Sequence, residues 1–266
     1  MTSPIVTFTS DFGSQDWFVG VVHGVLAAIA PQAAVIDLNH TIPPGDVARG
    51  AFILEAAAGD FPPGTVHLAV VDPGVGTARR ALAVEARGAL YVGPDNGLLE
   101  WALCAPGAAV HALTEERWFR RPVSRTFHGR DVFAPVAAHL SLGVPLAEFG
   151  PPVRDPVRLP LSHSHRDGAG LAGHVVFIDR FGNALTNLTE SVLREAFGDV
   201  DESRLEVGVP GRVIRGLARS YGDAPVGTLV AVLGSSGRIE IAQVGGDAAA
   251  RQGLGPGDPV SIVVST

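Results

Sequence analysis

Residues Val70–Arg80 read VVDPGVGTARR. An apolar run from His67 to Val71 ends at Asp72, and a Pro-Gly-Val-Gly turn follows before two arginines. That order describes a buried strand delivering a carboxylate to its carboxyl end. In an open α/β sheet ligands sit at that edge, because the loops leaving the strands border a crevice there. Asp, Pro and Gly are also ordinary turn formers, so Asp72 by itself reads first as the start of a plain turn. Its company adds weight. Gly74 and Gly76 let backbone approach a ligand closely, Arg79 can fold back onto the carboxylate, and a second charged stretch, FHGRD, stands at Phe127–Asp131.

The flanking sequence alternates strand and helix signals. Ile5 to Thr9 reads as a buried strand, with a turn at Ser10-Asp11-Phe12-Gly13. A helix is predicted from about Trp17, its small residues Gly20, Gly24, Ala27 and Ala28 packing against a sheet, and Pro31 stops it before a strand at Val35 to Leu38. A second helix spans roughly Asp46 to Ala58 with Asp46 as N-cap, and the next strand delivers Asp72. Short strands follow at Leu82–Ala86, Leu90–Val92 and Val110–Leu113, with a short helix at Leu98–Leu103. A helix from Val132 to Leu142 comes next, for which His128 to Asp131 serves as the capping turn on the plainest reading. The alternation predicts a largely parallel α/β sandwich domain over residues 1–155.

From 156 to 172 the texture changes to a Pro-, His- and Gly-rich connection that includes His163 and His165. Residues 173–266 carry short strands with turn signals at near-regular intervals, which predicts a smaller β-barrel or β-sandwich domain. Two of its turns are unusually polar: Asp179-Arg180-Phe181-Gly182-Asn183 and Gly234-Ser235-Ser236-Gly237-Arg238. Each alone is an ordinary turn composition.

Composition narrows the function. The 266 residues are 46% hydrophobic and 18% charged, enough for one large or two modest globular domains. A net charge of -7 without Lys/Arg clusters argues against nucleic acid. The apolar stretch Phe18–Ile36 is interrupted by His23, Pro31 and Gln32, so no membrane span is predicted. One cysteine, Cys104, precludes an intrachain disulfide and a multi-cysteine metal site; with no export signal at the start of the sequence, a cytoplasmic protein is expected.

Standard catalytic motifs are missing: there is no G-x-G-x-x-G at the first strand–helix turn, no P-loop, no G-x-S-x-G and no H-E-x-x-H. What remains at the ends of first-domain strands is Asp11, Asp72, Arg79 and His128. Such a set suits activation of a water, with His as base or orienter and Arg favouring a developing hydroxide. A divalent-metal site built from Asp11, Asp72, His128 and Asp131 is an alternative, weakened by the lack of a second histidine within a turn of His128.

TSDFG (9–13), DPGVGTARR (72–80), FHGRD (127–131), IDRFGN (178–183) and SSGR (235–238) occur in this order. Together they closely resemble the S-adenosyl-L-methionine (SAM) hydroxide adenosyltransferases, the SAM hydrolases related to fluorinases and chlorinases. The resemblance spans both domains. It implies a homotrimer with active sites between one protomer's first domain and a neighbour's second, SAM as substrate, and no metal or other cofactor. It maps the catalytic triad onto Asp72, Arg79 and His128. Asp11 would hold the ribose hydroxyls, Asn183 the adenine edge, and Asp179 with Ser235 the amino and carboxylate ends of the methionine moiety. Halogenating relatives replace the triad Asp and His, so their presence here favours hydroxide over halide. Gly234, where relatives often carry Asn, Ser236, where the fluorinase-like branch has Arg, and the loosely matching Val244–Asp247 depart from the pattern. A SAM- or adenosine-binding sensor without chemistry is the remaining alternative.

Overall fold

A computed structural model describes residues 3–159 and 164–265. The chain divides into two compact units, the first ending at Leu159. His163 lies outside the described residues.

The first unit holds six strands: β1 (Ile5–Ser10), β2 (Ala34–Asn39), β3 (Val66–Val70), β4 (Ala81–Ala86), β5 (Ala89–Pro94) and β6 (Ala109–Ala112). They form one sheet in the order β2-β1-β3-β5-β4-β6. The first four strands in that order run parallel, and β4 is antiparallel to both of its neighbours. Strand β3 is buried throughout, and its period-two alternation feeds two cores. Val66, Leu68 and Val70 join one core with helices α1 (Phe18–Ile29) and α4 (Ala134–Ser141). Ala69, and Val71 just past the strand, join the other with α2 (Val47–Ala58) and α3 (Glu100–Leu103). The unit is therefore the α/β sandwich predicted, with helices on both faces.

Local details agree with the sequence in some places and not in others. Asp46 caps α2 by accepting the Arg49 amide hydrogen at 3.0 Å, an interaction worth about 1 kcal/mol. In α1, however, Gly20, Gly24, Ala27 and Ala28 are exposed; Val22 and Leu26 are the fully buried residues. The larger apolar residues gain more by leaving water, and they set the helix's rotation.

Asp131 is not an N-cap. It lies inside a π-helical turn, Gly129–Phe133, that precedes α4, and it is wholly buried. There it accepts from the Ser124 amide at 2.8 Å and from Arg130 at 2.7 and 2.8 Å. It fastens the preceding loop to the helix.

The second unit contains β7 (His165–Asp167), β8 (Gly170–Ile178), β9 (Ala184–Thr189), β10 (Leu205–Val209), β11 (Arg212–Arg215), β12 (Leu217–Ala218), β13 (Leu229–Leu233), β14 (Arg238–Gln243) and β15 (Pro259–Val264). Their order is β11-β10-β15-β8-β9-β14-β13-β12, with β7 paired to β8. The strands at the two ends of this order, β11 and β12, are joined in the chain by Gly216 alone, whose φ of +73° makes the bend. The sheet thus curls into a nearly closed barrel around Val175, Leu188, Val207, Ile241 and Ile262.

Strand β9 (ALTNLT) and helices α5 (Glu190–Phe197) and α6 (Ala248–Gln252) were not evident from the sequence. In β9, Thr186 and Asn187 masked the strand behind a turn-like composition.

The connection expected over 156–172 carries structure at both ends. The Val157 amide donates to Asp95 and the Leu159 amide to Glu100 in the first unit, whereas β7 and the start of β8 belong to the barrel.

Candidate active site

Ser10 and Val70 are paired partners at the ends of β1 and β3. Asp11 and Asp72 therefore leave the carboxyl edge of the sheet on neighbouring parallel strands, where loops can border a crevice. The Asn96 side chain donates to the carbonyl of Val71 at 2.8 Å and so fixes the strand end just before Asp72.

The two arginines that close the Val70–Arg80 stretch part company. Arg80 faces structure: its Nε donates to Asp95 at 2.7 Å and its Nη1 to Asp155 at 2.8 Å. Arg79 folds back. Its Nε donates to Asp72 Oδ1 at 2.8 Å and its Nη2 to Asp72 Oδ2, the bidentate geometry that suits guanidinium and carboxylate. Both side chains are largely buried, at 11% and 6% exposure. The guanidinium also lies 5.1 Å from the centre of the Phe133 ring.

Arg79 Nη2 lies 2.9 Å from His128 Nδ1. A guanidinium only donates, so Nδ1 must be the acceptor, and the neutral ring then carries its proton on Nε2. Burial and the Arg79 charge both push the His128 pKa below 6.5, against weaker opposing pulls from Asp72 and Asp131. The histidine is accordingly neutral at neutral pH.

Two glycines lock the motifs together. Gly76 has φ +77°, and a Cβ there would stand 2.2 Å from the Arg125 carbonyl oxygen, just ahead of the FHGRD segment. A Cβ on Gly129 would meet Phe12 of the TSDFG turn at 3.0 Å. Asp11 accepts the Gly45 amide hydrogen at 2.8 Å. Burial raises the Asp11 carboxyl above its ordinary value, the Gly45 contact pulling the other way and the Asp72 charge adding to the rise.

The first unit thus gathers Asp11, Asp72, Arg79 and His128, all expected from the sequence. Asn96, Phe133, the Gly45 amide and the Arg125 carbonyl had no sequence signal, since three act through backbone or a ring and Asn96 sits in an ordinary Pro-Asp-Asn-Gly turn. The metal set of Asp11, Asp72, His128 and Asp131 is not assembled: Asp72 is engaged by Arg79 and Asp131 by Arg130 and Arg120.

In the barrel, Asp179 Oδ1 accepts from the Phe181 and Asn183 amides, each at 2.8 Å, and Oδ2 accepts from Asn183 Nδ2 at 2.9 Å. Both side chains shape their own turn. Gly182 at its apex has φ +81°, and a Cβ there would overlap Asp247. Ser235 is exposed in the turn before β14. The residue missed here is Glu240. Tyr221 donates to its carboxylate at 2.6 Å, and a Cβ on Gly234 would lie only 1.8 Å from Glu240 Oε1. Glycine at 234 therefore leaves room for that carboxylate. Burial raises Glu240 above its ordinary value, Tyr221 works against the rise, and the Asp179 charge adds to it.

An α/β sandwich with an acid–arginine–histidine chain at its carboxyl edge, followed by a small barrel, defines a two-domain class of protein. Residues 6–150 match the family model of the SAM hydroxide adenosyltransferase N-terminal domain, and residues 173–261 match that of its C-terminal domain. The chain belongs to the SAM hydroxide adenosyltransferase family. It is 45% identical over 264 residues to an (R)-S-adenosyl-L-methionine hydrolase of Salinispora tropica, with 98% of each chain covered. The hydrolase of the same name from Thermus thermophilus is 46% identical over 271 residues, covering 97% of this chain and 99% of its own. A fluorinase of an Actinoplanes species is more distant, at 30% identity, with 73% of this chain and 74% of the relative covered. Among solved structures, an uncharacterized conserved protein from Thermotoga maritima superposes with a TM-score of 0.90 at 34% identity, covering 97% of this chain and 99% of that one.

Proposed function

We propose that the protein hydrolyses (R)-S-adenosyl-L-methionine to adenosine and L-methionine by attack of water on C5′. The observation that carries the reading is the hydrogen-bonded chain from Asp72 through Arg79 to His128 at the sheet edge, beside Asp11. The names of the relatives at 45% and 46% identity support the substrate.

The chemistry asks little of the enzyme. The sulfonium leaves with the C5′–S electron pair as a neutral thioether and needs no general acid, so positioning and activation of water are the task. His128 presents Nε2–H outward from Arg79, and we assign that hydrogen to orienting the attacking oxygen. With Nδ1 committed to a guanidinium, His128 acts as an orienter and not as the base. As the C5′–O bond forms, the water's proton passes to solvent, and one proton is released for each SAM consumed. Asp72 holds Arg79 in place and balances its charge.

The remaining assignments extend the same proposal. Asp11 holds the ribose hydroxyls, Asn183 the adenine edge, and Asp179 and Ser235 the ends of the methionine moiety. The assembly is a homotrimer acting in the cytoplasm, and the hydrolysis uses no metal ion.

The test is incubation of the purified protein with SAM in chelator, with chloride or fluoride added in parallel, followed by chromatography. Adenosine and methionine, unchanged by halide and slowed in Asp72→Asn and His128→Ala, are the expected result. A halogenated adenosine would move the protein to the halogenase branch. Tight SAM binding without turnover would make it a sensor, and loss of activity in chelator with the thermal midpoint unchanged would overturn the metal-free step.

A further inference from the structure

Among the described residues, one set of three His, Cys, Asp or Glu side chains brings its ligand atoms within 4.8 Å of one another: His23, Asp37 and His40. They come from different elements. His23 projects from α1, Asp37 lies in β2, and His40 follows that strand's end. His23 Nε2 hydrogen-bonds to Asp37 Oδ1 at 2.8 Å, and His40 Nε2 stands 3.0 Å from the same oxygen.

The two approaches differ in kind. His40 is only 8% exposed, and its Nε2 is a buried polar atom lacking an aligned hydrogen-bond partner. Its one polar neighbour there is Asp37 Oδ1, a poorly aligned contact that a cation held between the two would replace with a well-directed one. The ring is also held from behind, with Nδ1 2.7 Å from Ser10 Oγ and the ring 4.6 Å edge-on from Phe8. A metal-ligating histidine is held in just this way, its far nitrogen fixed by a second partner. The Asp37 side chain is 39% exposed and that of His23 36%, so the open side of the cluster faces solvent.

We propose that His23, Asp37 and His40 form a binding site for a first-row divalent cation of the zinc type. Two imidazoles and one carboxylate match such ions and not magnesium or calcium, which prefer oxygen donors throughout. A slight opening of the present contacts brings Nε2 of each histidine and one carboxylate oxygen to bonding distance, and water fills the fourth position. The His40 proton then sits on Nδ1 and is donated to Ser10 Oγ. Because Ser10 precedes Asp11 and the Gly13 amide donates to the His40 carbonyl at 2.7 Å, the ion fastens α1, the end of β2 and the turn after β1 to one another. The role is structural and lies outside the water-activating group.

Titration of chelator-treated protein with zinc, followed by calorimetry, and with cobalt, followed by its ligand-field absorption, tests the site. The expected result is one ion per chain, the tetrahedral cobalt spectrum and a zinc-dependent rise in the thermal midpoint. His23→Ala and Asp37→Asn, both at solvent-facing positions, should each lower affinity at least about tenfold, and Ser10→Ala by about 10–100-fold, the size of effect typical of outer partners. An equal affinity in His23→Ala, Asp37→Asn and the parent, or no stoichiometric binding, would overturn the proposal. Should His40→Ala fail to fold, anomalous diffraction from zinc-soaked crystals decides instead: an ion anywhere but between these three side chains contradicts it.

Discussion

Arg79 and Arg80 are adjacent, yet one serves the sheet-edge site and the other the scaffold. The difference is where a carboxylate waits: Asp72 for the first, Asp95 and Asp155 for the second. Replacing Asp72 with Asn removes the charge that orients Arg79, and replacing His128 with Ala removes the group assigned to the water. Each should lower kcat by about 100-fold or more while changing KM little, measured by adenosine formation at saturating SAM. The pH profile follows from the same contact. Protonating His128 places a second donor against Arg79, so activity falls on the acid side, and because the His128 pKa is lowered the midpoint of that fall lies below 6.5. An acid limb with its midpoint above that value would argue against a neutral, arginine-bound ring.

At this scale the sequence was informative. Asp72 and Arg79 lie seven residues apart on one loop, and their opposite charges announce a pairing. Asp131, also beside an arginine, was misread because its partners, Arg120 and the Ser124 amide, sit in a loop whose path only the folded chain reveals.

Among the elements, β3 is buried at every position, including His67. Burial lowers the His67 pKa to about 4 from 6.5. In the unfolded chain the histidine protonates near 6.5, whereas in the folded chain it stays neutral until about 4, so acidification through that window favours unfolding. The loss amounts to about 3 kcal/mol. Denaturant melts at pH 7 and pH 4 should show it, and His67→Gln should reduce the difference between them. The 72–80 loop offers a second check. Gly76→Ala puts a Cβ on the Arg125 carbonyl at positive φ, and should destabilise by at least about 1–3 kcal/mol, with activity falling as the loop is displaced. An unchanged urea midpoint would show that the loop gives way freely.

Strand and helix alternation was legible because period-two and helical apolar patterns record burial directly. The π turn before α4 was not, since Gly-Arg-Asp has the composition of a cap. Strand β9 was hidden in the same manner, because Thr and Asn on a barrel strand bond to neighbouring strands, as Thr186 Oγ1 does to the Ile239 carbonyl at 2.8 Å.

For the whole molecule, the order of sandwich then barrel was legible in the change of texture along the chain, whereas the first compact unit runs on to Leu159 and residues at both ends of the expected 156–172 connection pack into the units themselves. Nothing in the residues themselves speaks to assembly, which enters only as what the family resemblance implies. The homotrimer in the proposal predicts a sedimentation mass of about three times 27.5 kDa at working concentration, and a monomeric protein with full activity would contradict shared sites. The proposed reaction turns on attack of water at C5′ of SAM. Its most direct test is turnover in ¹⁸O-enriched water with mass analysis of the nucleoside. Attack at C5′ yields adenosine carrying one heavy oxygen at its 5′-hydroxyl together with unlabelled methionine. Adenosine without the label, or label in methionine instead, would contradict it.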